Sequence, residues 1–88
     1  MRLSVKLFGP LRSYAAGSGV EVELPDGARV GDAREAIIAL LERTNPGPAA
    51  RALVRRSALA TEDEVLPDDA LLPAGARSLA ILPPVCGG

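Results

Sequence analysis

The residues able to do covalent chemistry are few. The chain has 88 residues, one cysteine and no histidine, so the usual general base and the commonest metal ligand are both missing. One cysteine cannot build a zinc site, and neither a metal centre nor a self-sufficient hydrolase is expected. What remains is the end of the chain, Pro83-Pro84-Val85-Cys86-Gly87-Gly88. Glycine at Gly87 and Gly88 removes every Cβ around the last carbonyl, so the backbone can thread a narrow channel and take angles closed to other residues. Pro83 and Pro84 have the opposite effect: their fixed φ favours an extended conformation, and their missing N–H groups end any strand pairing. At about 3 Å per residue, the six residues from Pro83 to Gly88 reach roughly 20 Å beyond a sheet. Such a tail is suited to project from the sheet instead of folding back on it.

Composition narrows the partners. A formal charge of −1, with acidic and basic residues interspersed, supplies no basic stripe for nucleic acid and no polybasic segment for a membrane. Protein partners are expected. Arg2, Lys6 and Arg12 interrupt the apolar residues of the N-terminal stretch, which leaves no signal-peptide core, and a cytoplasmic location is expected. With 48% apolar residues, the chain can build one core, burying about two-thirds of its open-chain surface.

The elements that must hold this tail are written in the hydrophobic pattern. Leu3, Val5 and Leu7 alternate with polar residues and predict a strand with one apolar face, from which Phe8 falls out of phase. A short helix is expected from Pro10 to about Ala16, stopped by Gly17. Val20, Val22 and Leu24 predict a second strand, closed by a turn at Pro25-Asp26-Gly27. From Gly31 the period changes, and Ala33, Ala36, Ile37, Leu40 and Leu41 form one stripe of the main helix, ended by Asn45-Pro46-Gly47-Pro48. The stretch from Ala49 to Leu72 reads as two short strands. After a turn at Pro73-Ala74-Gly75, Ser78–Leu82 is an almost continuous apolar run suited to the middle of a sheet. Asp26, Asp32, Asp68 and Asp69 read as turn and helix-start residues rather than as a catalytic carboxylate set. Pairing the two most apolar strands, first and last, in parallel and laying one helix across a mixed sheet gives an α+β fold of the β-grasp, ubiquitin-like kind. The domain is expected to span 1–82, with 83–88 a flexible diglycine tail.

The segments KLFGPLRSYA, ELPDGARVGDA and LPPVCGG resemble the sulfur-carrier small subunits of molybdopterin synthase. The resemblance implies that Gly88 is adenylated by an activating enzyme related to those that charge ubiquitin, using ATP, with no cofactor held by the carrier itself. A sulfur donor then converts the acyl adenylate to a thiocarboxylate. The tail enters the large synthase subunit, where sulfur passes to cyclic pyranopterin monophosphate. The chain departs from the family's pattern at Gly75-Ala76-Arg77-Ser78, where Gly-Asp is usual, and at Cys86, where Ser or Thr is usual. Cys86 has two readings, a thiol able to attack the activated carbonyl or a small side chain filling that position. The second is favoured because no neighbouring cation is present in the sequence to lower its pKa.

Phe8 and Leu82 fall on the strand faces opposite Leu7 and Ile81. If the first and last strands are neighbours, they form one exposed apolar patch, the expected partner surface. Two other functions fit the same tail: a ubiquitin-like protein modifier, and a sulfur carrier for thiamine or another sulfur-containing metabolite.

Overall fold

The alternation at Leu3, Val5 and Leu7 becomes strand β1 (Arg2–Leu7), in which those three side chains are buried and the residues between them exposed. The structure is a computed structural model that describes residues 1–84. β1 pairs antiparallel with β2 (Gly19–Glu23), with Leu3 opposite Val22 and Val5 opposite Val20. The last strand, β5 (Ser78–Leu82), lies parallel to β1 on its other side, with Val5 opposite Leu79 and Leu7 opposite Ile81. Two short strands, β3 (Ala58–Ala60) and β4 (Val65–Leu66), complete a five-stranded sheet of order β2-β1-β5-β3-β4. The ubiquitin-like β-grasp follows, with its most apolar strand at the centre, where both ladder edges are satisfied.

The main helix, α1 (Val30–Thr44), packs across the sheet. Asp32 accepts a hydrogen bond from the Arg29 N–H at 2.8 Å and closes the first turn, while Asn45 caps the last by donating its N–H to the Leu41 carbonyl at 3.0 Å. Its buried residues are Val30, Ala33, Arg34, Ile37, Ile38 and Leu41. Ala36 and Leu40, assigned to the stripe from the sequence, are only half-buried. The core face therefore extends toward Arg34 and Ile38, because a second helix, Ala49–Arg55, packs against α1 as well as the sheet does and Arg34 bonds to its end.

Two further expectations change. The segment after β1 is a 3-10 helix over Gly9–Tyr14, and the chain is already extended at Ala15, so Gly17, at φ +77°, serves the turn into β2 and not a helix stop. Between Ala49 and Leu72 the two short strands are present, but a helix, α2 (Ala49–Arg55), precedes them. Only Ala50 and Val54 of α2 are buried, one turn apart, too short a stripe to show periodicity. Tertiary contacts hold it: Arg51 pairs with Glu42 and Arg55 with Glu35, both on α1, each at 3.0 Å.

Candidate functional site

The tail is rooted at the end of the central strand. Leu82 closes β5 opposite Ala58 of β3, and Ile81 lies opposite Leu7 at the end of β1. Pro83 and Pro84 follow, both half-buried. Neither has an N–H to continue the ladder, so the sheet ends there for a chemical reason. Val85, Cys86, Gly87 and Gly88, the other tail residues singled out from the sequence, lie outside the described residues.

Gly9 shapes the floor beneath the tail. Its φ is +58°, a left-handed conformation that favours glycine, and a Cβ placed on it would stand 3.1 Å from Pro83 Cγ. Two separate requirements thus fall on one residue. Its neighbours Phe8 and Pro10 complete the Phe-Gly-Pro corner leaving β1, so the motifs near the two ends of the chain meet in space. The motifs and the pairing of the strands that carry them were legible in the sequence; the approach of Gly9 to Pro83 was not.

Phe8 is extended, at φ −124° and ψ 155°, so the alternation of β1 runs through it. With Lys6 opposite Ala80, Phe8 shares with Ala80 and Leu82 the sheet face turned away from α1. Phe8 is 42% and Leu82 37% exposed. Beside them a hollow of about 250 Å³ is lined by Lys6, Phe8, Ala60, Thr61, Glu62 and Ala80. The face around the tail root therefore offers apolar surface with charge at its rim, the composition of a protein-docking surface.

Arg34 and Asp68 also shape this end of the molecule, though neither was assigned a site role. Arg34 is buried and donates to the carbonyls of Val54 and Ser57, the latter at 2.7 Å, and to both carboxylate oxygens of Asp68 at 2.8 and 3.0 Å. These bonds tie the end of α2, the residue before β3 and the turn after β4 to α1. They fix the start of β3 against the end of β5, where the tail leaves. The available signal was an arginine four residues from both Val30 and Ile38, on the apolar side of the helix. Asp68 is a turn residue, as expected, and an ion-pair partner as well.

Two carboxyl groups outside this site are shifted. The hydrogen bond from Arg2 holds Glu23 below the ordinary glutamate range, and that from Arg51 does the same for Glu42. Among the described residues no helix is long and apolar enough to cross a membrane.

Residues 5–88 match the model of the ThiS family. No curated protein sequence matches the chain. Among solved structures, small archaeal modifier protein 1 from Haloferax volcanii is 25% identical, with a TM-score of 0.69 over 96% of this chain and 98% of that one. A putative molybdopterin converting factor subunit 1 from Pyrococcus furiosus is 26% identical, with a TM-score of 0.68 over the same shares of the two chains, 96% and 98%. A structure described as a complex of subunits 1 and 2 of the molybdopterin-converting factor from Helicobacter pylori shares the fold, at 22% identity and a TM-score of 0.57 over 100% of both chains. With the β-grasp fold and a match running through the terminal diglycine, the chain belongs to the ThiS family of ubiquitin-like sulfur carriers.

Proposed function

We propose that this carrier serves molybdenum cofactor biosynthesis as the sulfur-donating small subunit of molybdopterin synthase. A carboxylate is a poor electrophile, so the Gly88 carboxylate first attacks the α-phosphorus of ATP on an activating enzyme, giving an acyl adenylate and releasing pyrophosphate. A sulfide donor attacks the carbonyl and AMP leaves, giving the thiocarboxylate directly; a persulfide donor gives an acyl disulfide in the same way, and a second thiol then attacks the donor's own sulfur, forms a disulfide with it and releases the thiocarboxylate. In the large subunit the sulfur is passed to cyclic pyranopterin monophosphate, and hydrolysis returns Gly88 to a carboxylate. The chain's own part is presentation: Gly9, Pro83 and Pro84 aim the tail off the central strand, and Phe8 and Leu82 supply apolar surface for the partner. Acid and base groups come from the large subunit. The observation that carries the reading is the family match extending through Gly88, the residue to be charged. The Pyrococcus neighbour supports the choice of pathway, and the two-subunit Helicobacter complex suggests the form of the partnership.

The test is turnover. Incubation of the thiocarboxylate form with the large subunit and cyclic pyranopterin monophosphate is expected to discharge two chains per molybdopterin, because a dithiolene needs two sulfurs. Intact mass should show each chain regaining oxygen for sulfur. Sulfur arriving only in a thiazole precursor would overturn the pathway and leave the carrier chemistry standing.

One observation favours a second reading: the likeness to small archaeal modifier protein 1 spans almost the whole chain. A modifier is consumed into an isopeptide bond. Gly88 recovered on the lysines of other proteins, with no pterin product, would establish that reading instead.

A further inference from the structure

We propose that the outer edge of β2, with the groove between β2 and α1, docks an extended segment of a partner protein that is apolar at alternate positions and carries a carboxylate opposite Arg43. β2 is the end strand on its side of the sheet. The Leu24 N–H donates to the Met1 carbonyl and the Leu7 N–H to the Ser18 carbonyl, both at 2.8 Å, which sets the phase of the β1–β2 ladder. In that phase Ser18, Val20, Val22 and Leu24 bond inward, and the N–H and C=O groups of Gly19, Glu21 and Glu23 point off the sheet. The same alternation sends the Ser4 N–H of β1 away from β2, to the Arg77 carbonyl at 2.8 Å. β2 thus presents a row of backbone donors and acceptors ready for one more strand.

The side-chain surface beside this edge is apolar beyond what the core uses. Two hollows of about 460 and 470 Å³ run between β2 and α1 and share Glu21, Leu40 and Arg43. Ala36 and Leu40 are the two stripe residues that the sheet leaves half-covered. A strand laid along β2 would direct every second side chain onto them and the others beside Glu21 and Glu23 on the opposite face. Apolar residues suit the first row and basic residues the second. Arg43 lines both hollows, and the ion pairs among the described residues engage Arg2, Arg34, Arg51 and Arg55 but not Arg43. It calls for a carboxylate from the incoming segment. A second copy is the poorer occupant, since β2 against β2 would bring Glu21 and Glu23 together with their own counterparts. The inference does not rest on the sulfur-transfer reading: β1 separates β2 from the strand that carries the tail.

The probe is a capped peptide in which lysine alternates with valine, isoleucine and a final aspartate, titrated into the isotope-labelled full chain and followed by amide resonances and hydrogen exchange. Gly19, Glu21 and Glu23 amides are expected to shift and gain protection, with Phe8 and Leu82 unmoved. Arg43→Glu should weaken binding at least about tenfold and reverse the preference toward a lysine-ended version of the peptide. Arg43→Ala, which leaves no new charge in the last helical turn, should abolish the preference between the two peptides. Shifts confined to the Phe8 face, no shift at all, peptide-independent self-association through β2, or an unaltered preference in folded Arg43 variants would each overturn the proposal.

Discussion

Gly9 carries two constraints that no other residue could meet together: a left-handed backbone and a Cβ position 3.1 Å from Pro83. Gly17 offers an internal comparison, with φ +77° and nothing within 4 Å of its Cβ position. Gly17→Ala should therefore lose only the backbone cost, about 1 kcal/mol. Gly9→Ala should lose more, about 2 kcal/mol, because the Pro83 ring must also give way. Urea denaturation of both variants, and of Gly9→Ala combined with Pro83→Ala, separates the two contributions. Equal losses at Gly9 and Gly17 would show that the tail root does not press on the corner. Cys86 presents no such handle, since it lies outside the described residues.

Each element is stabilised by the side chains it hides, and α1 hides a different set from the one its periodicity suggests. Ile38 is buried whereas Leu40 is half-buried. Ile38→Ala is expected to cost about 3 kcal/mol, through lost transfer energy and a residual cavity, and Leu40→Ala about 1 kcal/mol. A reversed order in chemical denaturation would restore the stripe read from the sequence. Ion pairs then fasten neighbouring elements, Arg2–Glu23 between β1 and β2 and Arg51–Glu42 between α2 and α1. Both glutamates are held below their ordinary range in the folded chain, chiefly by hydrogen bonds from these arginines. A depressed folded value means that the unfolded chain takes up its proton first as the pH drops. Their contribution is thus present above the ordinary glutamate range and fades as the pH falls through the lower folded values. Melting temperature should decline across that acid window, and Glu42→Gln with Glu23→Gln should flatten the decline. Added salt should shrink it, because both pairs are exposed.

The whole molecule divides its surfaces. One face of the sheet is spent on the core with α1, the other carries Phe8 and Leu82 beside the tail root, and the β2 edge stands apart from both. If the Phe8 face seats the large synthase subunit, a charge there must be desolvated without a partner on binding. Phe8→Asp should then weaken the complex by about tenfold or more while changing stability by less than about 0.5 kcal/mol, since the side chain is exposed in the free chain. Calorimetric titration against the large subunit, with the melting temperature as a control for folding, gives the answer. Unchanged affinity in the folded variant would remove Phe8 from the interface.

Local pattern alone determined β1, β2, β5 and the existence of α1, because alternation and helical periodicity record burial within a single element. It also marked the turns at Gly27 and Gly75, both at positive φ, and the proline pair that ends the sheet. From the same pattern came the parallel pairing of the end strands, since burying the two most apolar segments side by side removes the most surface from water. The tertiary structure decided what depends on partners distant in sequence. α2 escapes the pattern because two buried residues, Ala50 and Val54, set no period, and its arginines find their acids on another helix. The face that α1 buries depends on Arg34, whose carbonyl and carboxylate partners lie 20 to 34 residues away. The parallel pairing of β1 with β5 was expected, but the close approach of Gly9 to the Pro83 ring was not, because it depends on the left-handed turn that Gly9 makes on leaving β1.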